Sequence, residues 1–375
     1  MQRKLGRTGR KVFPLGLGCM GMSWIYAESR RDDERSIDVI RQARDAGVQL
    51  IDTAGLYGDG HNEELVGRAL RGQRDDVVIA TKGGLVVDDL AARRVHRDGR
   101  PETLRRQVDE SLRRLDVEQI DLFYLHRVDP AVPIGESWEA LSAVVDAGKV
   151  RWLGLSEVTI AQAESAHAIH PVTAIQSELS LWTRDPLGRG AEQGTGRERA
   201  EPTGRERAEP TGRGTSDGTS DGASNNTSNG DLLAWTRDHG VSFVPFAPLG
   251  RGYLTGTLTP DGFEDGDFRA TNPRFTPEAF ARNRDITDDE LCALDGRFAA
   301  VGRFFTMMSE LSPRARRKRI YSAIRGFDAV AESARAMLDI LYDVFRHSLR
   351  GTIDYVPDIY MGDVLALQPI GDVQG

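Results

Sequence analysis

Four residues of unlike chemistry sit at or just past the ends of short apolar runs. Asp52 and Tyr57 belong to LIDTAGLYGDG (50 to 60), Lys82 closes DVVIATK (76 to 82), and His126 closes IDLFYLH (120 to 126). An acid, a phenol, an ammonium and an imidazole brought to one place suit the reduction of a carbonyl. A tyrosine hydroxyl, with a reference pKa of about 10, is a poor acid, and a neighbouring ammonium favours its charged form. Lys82 can supply that ammonium to Tyr57, and a carboxylate at Asp52 would keep the lysine protonated and fixed. A histidine can orient a carbonyl oxygen or help the proton move. Singly, each has an ordinary reading: Asp52 a cap, Tyr57 a rim aromatic, Lys82 a solvated charge, His126 a core histidine bonded to backbone. Their joint placement is what argues for chemistry.

The elements that must position them follow from the pattern around them. Seven apolar runs recur: 14 to 20, 48 to 54, 76 to 82, 120 to 126, 151 to 157, 173 to 179 and 241 to 247. Such near-continuous apolar strands are buried on both faces of a parallel sheet. Between them lie amphipathic stretches, among them 34 to 47, 101 to 115 and 136 to 148, whose apolar residues recur at spacings of three and four. Repeated βα units of this length predict a (β/α)8 TIM barrel, in which residues at the C-terminal ends of different strands converge. Ser156 and Gln176 end two further runs and join the candidate set. GLGCMG (16 to 21) spells the glycine pattern of an open dinucleotide-binding sheet, but a lone match is weak evidence.

The sequence also resembles the aldo-keto reductases. The resemblance runs from Met1 to about Asn283 and rests on LGRTGRKVFPLGLGCMGMS, LIDTAGLYGDGHNEELVGRAL, VVIATKGG, IDLFYLHRVDP, WLGLSE, IQSELSLWTRDP and VPFAPLGRGYLTG. It implies a (β/α)8 barrel that reduces a small-molecule aldehyde or ketone with NADPH, NADH not being excluded. By the same resemblance Asp52, Tyr57, Lys82 and His126 form the catalytic tetrad, with Tyr57 the proton donor. Ser156 and Gln176 hold the nicotinamide carboxamide, Phe246 stacks on the ring, and Met20 joins the cofactor-binding positions. Leu249 to Leu254 match the loop around the pyrophosphate, where Gly250 and Gly252 let backbone N–H groups approach phosphate oxygens. The opening QRKLGRTGRKV looks like the hairpin that closes the bottom of such barrels. Barrels of this family also serve as regulatory subunits, so a non-catalytic cofactor-binding protein, or a degenerate reductase that has lost cofactor affinity, stands as the alternative.

Two stretches depart from the family. Residues 188 to 230 carry GRERAEPT twice in tandem and then GTSD twice, and a segment with so little to bury is expected to be a disordered surface loop. Beyond residue 285 the eighth βα unit is missing, and residues 301 to 375 match nothing in the family. The expected organisation is a barrel over 1 to 300 and a mostly helical tail over 301 to 375, with an amphipathic helix at 328 to 349. A barrel lacking one strand exposes unpaired edges, so the tail is a candidate to fill the gap, DVLALQPIG (363 to 371) as a strand.

Composition narrows the rest. The 375 residues carry 49 Lys and Arg against 57 Asp and Glu, a net charge of -8, which argues against a global nucleic-acid-binding field. The basic run PRARRKR (313 to 319) reads as a solvated helix face. Two cysteines far apart suggest neither a disulfide framework nor a metal site, and a reducing, cytoplasmic setting fits best. The sequence contains no apolar run of membrane-spanning length. Substrate identity and oligomeric state leave no readable trace.

Overall fold

A computed structural model of the chain describes residues 2–26, 28–180, 183, 185–187, 231–255, 258–285 and 363–366. Seven parallel strands form the frame: β3 (Leu15–Gly18), β4 (Leu50–Asp52), β5 (Val78–Gly83), β8 (Ile120–Leu125), β9 (Val150–Ser156), β10 (Val172–Glu178) and β11 (Ser242–Phe246). All seven lie where the apolar runs place them. Their order in the sheet is β11-β10-β9-β8-β5-β4-β3, each strand beside its predecessor, as a nearly closed (β/α)8-type barrel requires. The helices are α1 (Asp33–Asp45), α2 (His61–Leu70), α3 (Pro101–Leu115), α4 (Ile134–Asp146), α5 (Ile160–Ile169), α6 (Leu232–His239) and α7 (Pro277–Asp285).

Strand parity divides the core in two. Ile51, Ile79, Phe123, Leu153 and Ile175 join the outer cluster between strands and helices, whereas Leu50, Val78, Ala80, Leu122, Tyr124, Ala174 and Val244 fill the interior. Successive side chains alternate faces, so the positions two further on from the interior set also point inward. Those positions are Asp52, Lys82, His126, Gln176 and Phe246, and Ser156 follows from Trp152 on β9 in the same way. Gly154 shares that parity, and a Cβ there would lie 2.5 Å from the Tyr124 ring. The missing side chain is what gives Tyr124 room to fill the interior.

The bottom is closed by β1 (Arg3–Lys4) and β2 (Lys11–Val12), an antiparallel pair that matches the expected opening hairpin. Leu5 and Val12 are fully buried in the interior cluster. The Gly6 amide donates to Ser242 Oγ at 2.7 Å, and that hydroxyl donates to the Lys4 carbonyl at 3.2 Å, tying the plug to the start of β11.

One more strand, β12 (Asp363–Ala366), lies on the outer side of β3, within the stretch expected to be a strand. It runs antiparallel, Val364 pairing with Leu17 and Leu365 with Gly16, and also lies beside β11. It therefore covers the edge left by the missing unit without reproducing the parallel strand of a βα repeat. The chain divides into two compact units, one of Gln2–Pro248 with the segment from Gly362, the other Leu249–Met361. The tandem repeats, the basic run, the tail helix and the expected boundary at 300 lie outside the described residues.

Between β5 and α3 stands a second hairpin, β6 (Leu85–Asp89) and β7 (Arg94–Arg97), antiparallel and apart from the barrel sheet.

Candidate active site

Asp52, Tyr57, Lys82 and His126 come together, all buried and none more than 7% exposed. The Lys82 ammonium donates to the Thr53 carbonyl at 2.8 Å, to Tyr57 Oη at 3.3 Å, and to Asp52 Oδ1 in a buried ion pair. Three donors meet three acceptors, which satisfies an ammonium in a dry site. The other carboxylate oxygen of Asp52 accepts from Gln176 Nε2 at 2.9 Å. The His126 ring meets the Tyr57 ring edge-on, their centroids 5.9 Å apart. Its backbone amide donates to the Gly83 carbonyl at 2.7 Å, and its Nδ1 is buried with no hydrogen-bond partner among the described residues.

Burial penalises each charge, and the neighbours decide the outcome. Burial pushes the Asp52 carboxyl above its ordinary range, with Lys82 and Gln176 pulling it back. Burial alone would lower Lys82, but Asp52 and Tyr57 outweigh it, so the ammonium is held more firmly than in water. Burial, then the charges of Arg127 and Lys82, lower the His126 pKa well below its usual value. The imidazole is therefore neutral near pH 7, with one N–H to donate.

A pH dependence follows with a definite sign. In the unfolded chain His126 takes up a proton below about pH 6.5, while in the fold it does not, so stability falls as pH drops. Its share is at most about 1.4 kcal/mol per pH unit below that point. Denaturant unfolding between pH 7 and pH 5 should show a shallower loss in His126→Gln than in the parent. His167 and His170, both lowered first by burial, leave a residual slope in both proteins. An unchanged slope would mean that His126 is accessible to protons in the fold.

Tyr57 owes its place to the loop after β4. The loop stays against the sheet through Thr53 N to Ala80 O (2.8 Å) and Gly55 N to Lys82 O (3.2 Å). Past the tyrosine, Gly58, Asp59 and Gly60 all take positive φ, 63°, 53° and 94°, a reversal that glycine makes cheaply and that returns the chain into α2. A Cβ at Gly60 would come within 2.6 Å of Arg114 Cδ, so this glycine also admits α3.

Several residues that hold this loop went unread in the sequence. Asn62 is fully buried and accepts from Thr53 Oγ1 at 2.6 Å, while its amide donates to the Cys19 carbonyl and to Ser23 Oγ, both at 2.8 Å. Glu63, also fully buried, accepts from Thr81 Oγ1 at 2.5 Å and from Arg114 Nε at 2.6 Å. In the first turn of a helix both pass for caps or solvated acids. The loop after β3 contains Ile25 at φ 55°, a position costly for a β-branched residue. The Tyr26 amide closes on the Trp24 carbonyl at 2.8 Å across it, a tight turn that buries both aromatics.

The remaining candidates divide between the two units. Ser156 and Gln176 are buried, Phe246 is half-buried, and all three end inward at the same edge as the tetrad. Ser156 Oγ accepts from Arg127 Nη1 at 3.1 Å, and Gln176 already gives its amide to Asp52, which leaves its oxygen to accept. Met20 lies in the short turn after β3 and is half-buried, its carbonyl accepting from Trp24 N at 2.9 Å. Polar ends beside an aromatic suit a flat ring that carries an amide. In the other unit, Leu249 to Leu254 turn sharply, with Gly250, Arg251 and Gly252 at φ 57°, 54° and 93°. Leu249 is exposed, and the loop shape suits anion contact through backbone N–H groups. Among the described residues no group of His, Cys, Asp and Glu could hold a metal ion, and no helix is long and apolar enough to cross a membrane.

The geometry agrees with what the comparisons find. The profile of the Aldo/keto reductase family matches residues 14–189. A protein of Glycine max described as a probable aldo-keto reductase is 34% identical over 284 residues, covering 76% of this chain and 69% of that one. Among solved structures, the glycerol dehydrogenase of Gluconobacter oxydans superposes with a TM-score of 0.58 at 28% identity, over 81% of this chain and 82% of that chain. A holo aldo-keto reductase of Bacillus halodurans covers 89% of this chain and 99% of its own with a TM-score of 0.53, and at 22% identity it speaks for the fold alone.

Proposed function

This chain belongs to the aldo/keto reductase family, and on that premise we propose that it reduces aldehydes or ketones with a nicotinamide dinucleotide, NADPH in preference to NADH. The observation that carries the reading is the buried relay from Asp52 through Lys82 to Tyr57 Oη, with a neutral His126 across from the phenol. When bound, the dinucleotide supplies a hydride to the carbonyl carbon. Tyr57 gives its hydroxyl proton to the carbonyl oxygen, so carbon and oxygen together gain two electrons and two hydrogens and become an alcohol. As that proton leaves, charge builds on Tyr57 Oη, and the ammonium 3.3 Å away stabilises it. Asp52 keeps Lys82 charged and in place. His126 donates its single N–H to the carbonyl oxygen and fixes its direction.

Ser156 and the oxygen of Gln176 would receive the carboxamide and Phe246 would lie on the ring; in the other unit, taken by itself, the loop of Gly250 and Gly252 has the shape to take a phosphate. A small carbonyl compound is the partner this site takes. Titrating tryptophan fluorescence with NADPH and with NADH tests the cofactor half of the proposal. Saturation in the micromolar range, tighter for NADPH, is expected. Absence of saturation up to millimolar concentrations of both would remove the reductase reading and favour the degenerate alternative.

A further inference from the structure

The β6–β7 hairpin is tied at both ends to loops at the catalytic edge. Near its base, Arg97 Nη1 donates to the Val128 carbonyl at 3.2 Å, two residues past His126. At its turn, Arg93 takes φ 53° and sends its guanidinium to within 3.9 Å of Glu28, in the loop after β3. Between β5 and β3 in the sheet lies β4, the strand that leads into Tyr57. A hairpin rooted after β5 whose turn pairs with the β3 loop bridges the two loops on either side of the β4 end, the end that leads into Tyr57.

A second arginine waits there. Arg31 also lies 3.9 Å from Glu28, and its side chain and that of Arg93 are only 22% and 18% exposed, against 69% for Glu28. At 3.9 Å Glu28 is an ion-pair partner of each but a hydrogen-bond acceptor for neither. Arg31 Nη2 donates to the Tyr26 carbonyl at 3.1 Å, and its Nε is buried without a partner among the described residues; the Arg93 amide donates to the Leu90 carbonyl at 3.2 Å, but its side chain makes no hydrogen bond to a described residue. Two confined guanidinium groups thus share one exposed carboxylate. Burial, the largest cause, pulls the Arg31 pKa down, Glu28 opposes it, and the nearby Arg93 charge adds to the lowering.

We propose that Arg31 and Arg93 form a receptor for an anionic group, a carboxylate, at the far end of the carbonyl substrate. The planar fork of each guanidinium matches the two oxygens of a carboxylate. An arriving anion would take donors that Glu28 leaves unused and relieve the repulsion between the two arginines. The substrate class is then a carbonyl acid, such as an oxo acid or an acid semialdehyde. This deepens the reductase reading and rests on it.

The test compares 4-carboxybenzaldehyde with benzaldehyde, which share a reacting carbonyl and differ by one charge. Arg93→Ala and Arg31→Ala should each raise the KM for the carboxylated aldehyde, relative to that for benzaldehyde, by about tenfold or more, the usual weight of a charge-assisted hydrogen bond. Glu28→Gln should move the same ratio the other way, since it removes the competing carboxylate. Unchanged ratios in all three variants would overturn the proposal. Binding of terephthalate, which has no reducible carbonyl, followed by tryptophan fluorescence, separates this failure from that of the reductase reading. If neither aldehyde is turned over, terephthalate should still bind the parent more tightly than Arg93→Ala, and equal binding would sink the receptor.

Discussion

Tyr57→Phe should lower kcat for every carbonyl substrate by about 100- to 10,000-fold, the range that general acid catalysis supplies. The variant removes one oxygen and keeps the ring, whose edge-on contact with His126 does not need the hydroxyl. Lys82 loses one acceptor but keeps Asp52 and the Thr53 carbonyl, so the ion pair stays satisfied. Cofactor affinity should therefore remain within about twofold of the parent, because the hydroxyl contributes only once a proton is moving. Steady-state kinetics beside a cofactor titration separate the two quantities. A variant with full kcat would show that the proton comes from elsewhere. One that lost cofactor binding as well would show that the hydroxyl supports the pocket rather than the chemistry.

Lys82→Met should be the most damaging single change to the fold as well as to turnover. The ammonium is 1% exposed and its partner carboxylate 5%, and removing one member of a buried pair typically costs about 3–5 kcal/mol because the other charge is stranded. Asp52 can escape only by taking a proton. Its folded pKa, already raised by burial, then rises further above its unfolded value. The fold then binds a proton that the unfolded chain does not, and stability falls as pH climbs between the two values. Lys82→Met should accordingly be less destabilised at pH 5 than at pH 8. The double variant Asp52→Asn, Lys82→Met should recover part of the loss, since a neutral amide has no charge to strand, and denaturant unfolding of the four proteins gives the coupling. Additive losses would mean that the two groups do not act as a pair.

Much of this was legible because the barrel imposes a simple rule on its strands. Once LID, VIATK and DLFYLH are read as parallel strands buried on both faces, alternation alone places Asp52, Lys82 and His126 on the inner face. Tyr57 is legible as chemistry but not as geometry, since its position depends on a run of positive φ after it and on Asn62 beneath it. Asn62 and Glu63 hid because helix propensity and exposure are judged from local sequence, whereas their burial comes from β5, α3 and the β3 loop closing over them. The β6–β7 hairpin hid for a different reason: its strands are half-exposed and short, and they lie between a buried strand and a strong helix that dominate the pattern. The strand at 363–366 was legible as a strand, but its antiparallel direction was not, because direction depends on the route of the chain before it.

The measurement closest to the central claim is a single-turnover reaction of the whole chain with NADPH carrying deuterium at both nicotinamide C4 positions and a carbonyl acceptor such as 4-carboxybenzaldehyde. The alcohol should carry one deuterium on the former carbonyl carbon, and Tyr57→Phe should give the same labelled product far more slowly. Alcohol formed without deuterium, or no alcohol from a parent protein that binds the dinucleotide, would contradict a hydride acceptor site built on Asp52, Tyr57, Lys82 and His126.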